Sequence, residues 1–269
     1  MKKQTKIFFC FVACVLLIFT FTDLQISETL YNPKSTFGWF FESFGEVIIA
    51  LIGCFSTVGM IRTSGKKWSV SNILLGTLFL FDTFMASFLI THYLKLPTFA
   101  MGLLGICCVV IFPLIGRNIK PADFEVVRRI AKAGVVISLA PILIVTLVKM
   151  LWGRQRFRSM LNPAAEFTPW YVINGFTMND DFMSFPSGHS ANSATIIWIT
   201  WLPLWLERIK GKETLLSLIS GIWIICVMLS RVIMGAHFAS DVLMGASIVL
   251  FLNMYLKKKW YPSIELGTH

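Results

Sequence analysis

Residues 97–116 read PTFAMGLLGICCVVIFPLIG, twenty consecutive positions without a charged side chain. A helix of this length rises about 30 Å, the thickness of a bilayer's hydrocarbon core. In water it would need burial on every side, whereas in lipid a helix already satisfies its own backbone groups. Comparable apolar runs occupy residues 7–22, 44–62, 71–91, 130–150, 189–206, 214–231 and 238–256. Together these runs predict an all-α integral membrane helical bundle of about eight transmembrane helices.

Composition agrees with that fold class. Of 269 residues, 56% are hydrophobic and only 14% charged, against roughly 25% charged in an ordinary globular domain. A soluble domain, a disordered chain and a collagen-like repeat are thereby excluded. The net charge of +10, from 24 basic and 14 acidic residues, would suggest nucleic acid in a soluble protein, so the placement of the charges has to decide.

Short cytoplasmic loops collect Lys and Arg. With the N-terminus inside, seventeen basic residues fall on the inner side, near residues 2–6, 62–67, 117–132, 208–212 and 257–259, and seven fall outside. That asymmetry predicts a multi-pass plasma-membrane protein with both termini cytoplasmic and no nucleic-acid partner. Residues 7–22 lack a small-x-small cleavage site and read as an uncleaved anchor. Trp39, Trp68, Trp152, Trp170 and Trp260 flank spans, where interfacial placement is expected. The six cysteines lie in apolar runs without accompanying His, so neither a disulfide framework nor a metal site is indicated.

Five of the seven outside cations stand in two places, and these need another explanation. Lys149-x6-Arg156 ends the fifth span, Pro186-Ser187-Gly188-His189 opens the sixth, and Ser230-Arg231-x5-His237-x3-Asp241 joins the last two. All three blocks fall on the outer side. Fixed cations and a Ser-Gly turn suit phosphoryl oxygens, two His can supply a nucleophile and a proton donor, and no metal is required. If the helix of the last span already includes both, His237 and Asp241, four apart, share one face, where Asp241 can accept the Nδ1 proton and leave Nε2 aimed outward. Singly, such residues are commonly interfacial or capping. Jointly, cations placed against the positive-inside tendency beside two His and an Asp are not explained by packing.

In order and spacing the three blocks resemble the signature of the type 2 phosphatidic acid phosphatase (PAP2) superfamily, which includes vanadium haloperoxidases and glucose-6-phosphatase-like enzymes. The one departure is Phe157, where the family has Pro at a position bearing on backbone shape. The resemblance implies a PAP2-like catalytic core and assigns roles. His237 would be the nucleophile forming a phosphohistidine, Asp241 its orienting partner and His189 the general acid and base. Lys149, Arg156, Ser187, Gly188 and Arg231 would bind the phosphoryl oxygens. Arg154 and Arg158 lie outside the signature and are candidates for a second phosphate or a lipid head group, a solvated basic rim being the other reading.

The expected function is a metal- and cofactor-independent phosphatase acting on a lipid phosphate or polyprenyl diphosphate in the bilayer, with its site extracytoplasmic. A lipid phosphotransferase and an anion or lipid transporter are the alternatives. Expected regions are 1–129, an N-terminal membrane part; 130–259, the catalytic part; and 260–269, a tail. Glu46 and Asp82 are intramembrane acids expected to find buried hydrogen-bonded partners. His92 reads as a surface residue.

Overall fold

The structure is a computed structural model, and it describes residues 2–65 and 69–265. Lys66, Lys67 and Trp68 lie outside the described residues, as do residues 266–269 of the expected tail. The α-helices are α1 (Lys2–Leu30), α2 (Thr36–Gly45), α3 (Val47–Thr63), α4 (Val70–Tyr93), α5 (Thr98–Arg117), α6 (Phe124–Trp152), α7 (Pro163–Glu166), α8 (Gly188–Ala194), α9 (Glu213–Ile233) and α10 (Ala239–Glu265). Seven helical stretches among the described residues are long and apolar enough to cross a membrane, α2 and α3 together forming one of them. The chain is an all-α membrane bundle. Its apolar side chains point outward as often as inward: on α5, Phe99, Leu103 and Ile106 are each more than half exposed. Such faces suit lipid and not water.

The eighth expected span, 189–206, takes a different form. Seven residues of α8 pass into a 3₁₀ helix, Thr195–Leu204. Thr195, Ile196, Ile197, Ile199 and Thr200 are β-branched and crowd an α-helical turn, and Pro203 removes a backbone donor.

Two compact units are built from interleaved segments. One comprises Glu46–Leu139, Thr195–Gly221 and Tyr255–His269. Lipid offers no hydrophobic drive between helices, so packing relies on small residues. A Cβ on Gly59 would stand 3.0 Å from that of Ala131, and one on Gly134 would collide with the Ser56 hydroxyl. Trp198 Nε1 donates to the Ile130 carbonyl at 2.9 Å. Asp82 of α4 lies against Gly53 of α3, where a Cβ would overlap its carboxylate. The expected hydrogen-bonded partner is not found for its Oδ2 among the described residues. His92 stacks on Phe88.

The other unit comprises Met1–Gly45, Ala140–Ala194 and Ile222–Met254, and it contains all three sequence blocks. Here α2 lies along α9, with Gly45 against Val227 and Phe41 against Trp223. The long connection after α6 is pinned by its backbone. Thr177 and Asn174 donate to the carbonyls of Met150 and Trp152, and Ser184 donates to that of Arg154 at 2.9 Å. Trp152 and Trp170 are tied into the fold as well as flanking a span: Trp152 Nε1 donates to the Trp170 carbonyl, and Trp170 Nε1 donates to Leu16 and Thr20 of α1.

Candidate active site

Each block reaches the site through a local device that its sequence supplies. Lys149 stands on the last turn of α6, and Gly153 turns the chain immediately after it. At φ +64° this position favours glycine, and a Cβ would stand 2.5 Å from the Gly175 carbonyl oxygen. Arg156 follows, buried, its Nε and Nη2 donating to the carbonyl and carboxylate of Asp180 at 2.8 and 2.6 Å. Phe157, in place of the family's Pro, opens a 3₁₀ turn and packs its ring with Tyr31 and Phe238.

Pro186 follows a cis peptide bond from Phe185, and α8 begins at Gly188. Ser187 caps that helix: its Oγ accepts the Ser190 N–H at 3.3 Å. The Ser187 N–H donates to the Asp241 carbonyl at 2.9 Å. Gly245 permits this approach of α10, since a Cβ there would collide with the Ser187 carbonyl oxygen. A Cβ on Gly188 would stand 3.7 Å from Lys149 Nζ, so the first and second blocks meet.

The third block turns through Gly235, at φ +63°, between α9 and α10. Arg231, on the last turn of α9, is buried with Nη1 2.7 Å from Glu42 Oε1. His237 is fully buried, and its Nδ1 lies 2.7 Å from the Ser184 carbonyl oxygen. A carbonyl can only accept, so Nδ1 carries the proton and Nε2 keeps its lone pair. Nε2 has no hydrogen-bond partner among the described residues. Burial, followed by the charges of Lys149, Arg156 and Arg231 and by His189, holds this imidazole well below its ordinary value of 6.5. His189 lies in the field of Arg231, Lys149, Arg156 and Arg158. The structure therefore brings both His and the three signature cations to one place.

Two expectations need correction. Asp241 does not take the Nδ1 proton directly, its Oδ2 being 3.9 Å away. Its oxygens are already engaged by Arg154 Nη1 at 2.5 Å, Ser184 Oγ at 2.5 Å and the Phe238 N–H at 2.8 Å. The last contact is the reach-back of a carboxylate on the first helical turn to its own helix start. Arg154, expected as a phosphate or head-group ligand or part of a solvated rim, is neither. It is 0% exposed, and its guanidinium is held by Asp23, Ser240, Asp241 and the Thr168 carbonyl. Arg158 does lie at an exposed rim.

Ser184, Asp23, Ser240, Glu42 and Asp180 escaped the sequence reading. Asp23 directly follows the apolar run 7–22, and Glu42 interrupts an apolar helical stretch. Acids at membrane depth tend to face the bundle interior, and that was the available signal. Among the described residues no cluster of His, Cys, Asp and Glu could hold a metal ion.

A profile of the PAP2 superfamily matches residues 130–261. Phosphatidylglycerophosphatase B of Bacillus subtilis (strain 168) is 34% identical over 82 residues, covering 30% of this chain and 40% of that protein. The chain thus aligns with less than half of that relative's length. No solved structure matches the chain.

Proposed function

We propose that this chain, whose residues 130–261 match the PAP2 superfamily, is a metal-independent membrane phosphatase of that superfamily working through a phosphohistidine on a lipid phosphate or diphosphate. The observation that carries this reading is the His237 tautomer: an Nε2 lone pair with no hydrogen-bond partner among the described residues, fixed by the Ser184 carbonyl and in the field of Lys149, Arg156 and Arg231. The relative's name supports a lipid phosphate such as phosphatidylglycerol phosphate. Residues 130–259 form the proposed catalytic region, with 1–129 as the N-terminal membrane part and 260–269 as the tail. The excess of basic residues on one side of the expected spans supports cytoplasmic termini and an extracytoplasmic site.

In the first half-reaction His237 Nε2 attacks phosphorus, and the bond from phosphorus to the lipid oxygen breaks. His189 gives its proton to that leaving oxygen. In the second, water attacks the phosphohistidine and loses a proton to His189. The N–P bond then breaks and inorganic phosphate leaves. Lys149, Arg156, Arg231, the Ser187 hydroxyl and the Gly188 N–H hold the phosphoryl oxygens, most strongly as charge spreads over them in the transition state.

Purified protein should release phosphate from one or more of phosphatidic acid, phosphatidylglycerol phosphate and a polyprenyl diphosphate, with EDTA without effect and orthovanadate inhibiting. If none of these lipids is turned over, or if EDTA stops the reaction, the reading is lost. His189 carries a finer expectation. His189→Gln should lose about 10²–10⁴-fold on alkyl phosphates, where the leaving oxygen needs a proton, and much less on p-nitrophenyl phosphate. Equal losses on both substrates would remove the general-acid role.

A further inference from the structure

Asp23 lies on α1, more than a hundred residues before the segment that carries the family signature. Its side chain is nevertheless buried within the same unit as His237, 1% exposed. Oδ1 accepts the Ser240 N–H at 2.9 Å, capping the first turn of α10 from outside that helix. Oδ2 accepts from Arg154 Nη2 at 3.1 Å and from the Ser240 hydroxyl. Ser240 Oγ in turn receives an N–H from Arg154 Nη1 at 2.8 Å, so the hydroxyl proton is directed to Asp23. Each of these contacts is one that an ionised carboxylate accepts.

Resting on the phosphatase reading above, we propose that Asp23 is a positioning residue for phosphoryl transfer, acting through Arg154 on Asp241 and so on His237. The argument is one of charge and of geometry. Arg154 alone would neutralise Asp241, and the pair would offer nothing to a cation forming nearby. With Asp23 as a second carboxylate on the same guanidinium, the buried cluster keeps one net negative charge. As the N–P bond forms, the imidazole becomes positive while Lys149, Arg156 and Arg231 stand close by. A negative cluster on the Nδ1 side offsets that repulsion, and it does so in the transition state more than in the ground state.

Position follows the same path. Arg154 holds Asp241 with its side chain and receives the Ser184 N–H on its backbone carbonyl. Ser184 then gives its hydroxyl to Asp241 and its carbonyl to His237 Nδ1. A shift of Arg154 therefore moves the atom that aims the nucleophile. The helix α1 is, on this view, part of the catalytic apparatus as well as an anchor.

Asp23→Asn retains the size and the cap to Ser240 but removes the charge. In the full-length protein we expect kcat to fall on the order of 10²-fold, with KM changed by less than about 3-fold. Titration calorimetry with orthovanadate, a mimic of the five-coordinate state, should show weakened binding, while inorganic phosphate binds as before. A kcat within about 3-fold of wild type, or parallel losses for vanadate and phosphate, would overturn the proposal. Should Asp23→Asn not fold, Ser240→Ala decides, since it removes the hydroxyl bridging Asp23 and Arg154 with little change in volume. It should lower kcat and vanadate affinity at constant KM, and a folded variant with wild-type kcat overturns the proposal equally. Absence of turnover in the wild type would instead fail the phosphatase reading, and the two titrations would still test Asp23.

Discussion

His237→Ala should bring lipid phosphate release below detection, a loss of about 10⁴-fold or more, as expected when the nucleophile itself is removed. At about 1.36 kcal/mol per decade this corresponds to roughly 5–6 kcal/mol of transition-state stabilisation. The structure explains why no neighbour can substitute. Ser184 presents its carbonyl to His237 and commits its hydroxyl to Asp241, and Asp241 is itself held by Arg154. His189 comes from a different block and helix. Thermal unfolding in detergent should show the variant folded, because the imidazole makes one fixed hydrogen bond, to the Ser184 carbonyl. A purified, folded His237→Ala protein that still turns over lipid would remove His237 from the mechanism.

The wild-type pH profile supplies a companion measurement. The nucleophile must be unprotonated, and burial together with Lys149, Arg156 and Arg231 holds its pKa well below 6.5. On lowering the pH, the loss of kcat/KM from protonation of His237 should therefore set in below 6.5. A group with a raised pKa would give the opposite displacement.

Legibility followed the range of the interactions. Seven of the expected spans correspond to long apolar helices, because length and apolarity are local properties that lipid converts directly into helix. The segment 189–206 was visible as apolar, but its change from α8 to a 3₁₀ helix depends on a cluster of β-branched residues competing with helix length. At the site, spacing suggested a shared helix face for His237 and Asp241, but α10 begins at Ala239, so His237 precedes the helix that carries Asp241. Spacing could not say which acceptor reaches Nδ1 first. That was decided by Ser184, 53 residues earlier in the chain, whose carbonyl is fixed by the long connection. Arg154 shows the same limit more sharply. Its neighbours in sequence are basic and suggest a phosphate-binding rim, but its partner Asp23 lies 131 residues away on α1.

Arg154→Ala should be the most destabilising substitution in the site-bearing unit. The guanidinium donates to Thr168, Ser240, Asp241 and Asp23, and it lies 4.1 Å from the centroid of the Phe238 ring. Its loss leaves Asp23 and Asp241 as two buried carboxylates without the cation that bridges them. Removing one partner from a buried ionic group costs about 3–5 kcal/mol, which in a protein of this size lowers the unfolding temperature on the order of 10 °C. Lysine is not expected to rescue the variant, because a point charge cannot reach both carboxylates and the Thr168 carbonyl in the planar arrangement of the fork. Arg158→Ala, at the exposed rim, should unfold within about 0.5 kcal/mol of wild type, and an Arg154 variant equally stable would refute the cluster as described. The double variant Arg154→Leu with Asp23→Asn separates charge from shape. Removing the orphaned carboxylate should recover part of the stability lost in Arg154→Leu, while kcat stays low because the guanidinium no longer fixes the Asp241 carboxylate that receives the Ser184 hydroxyl.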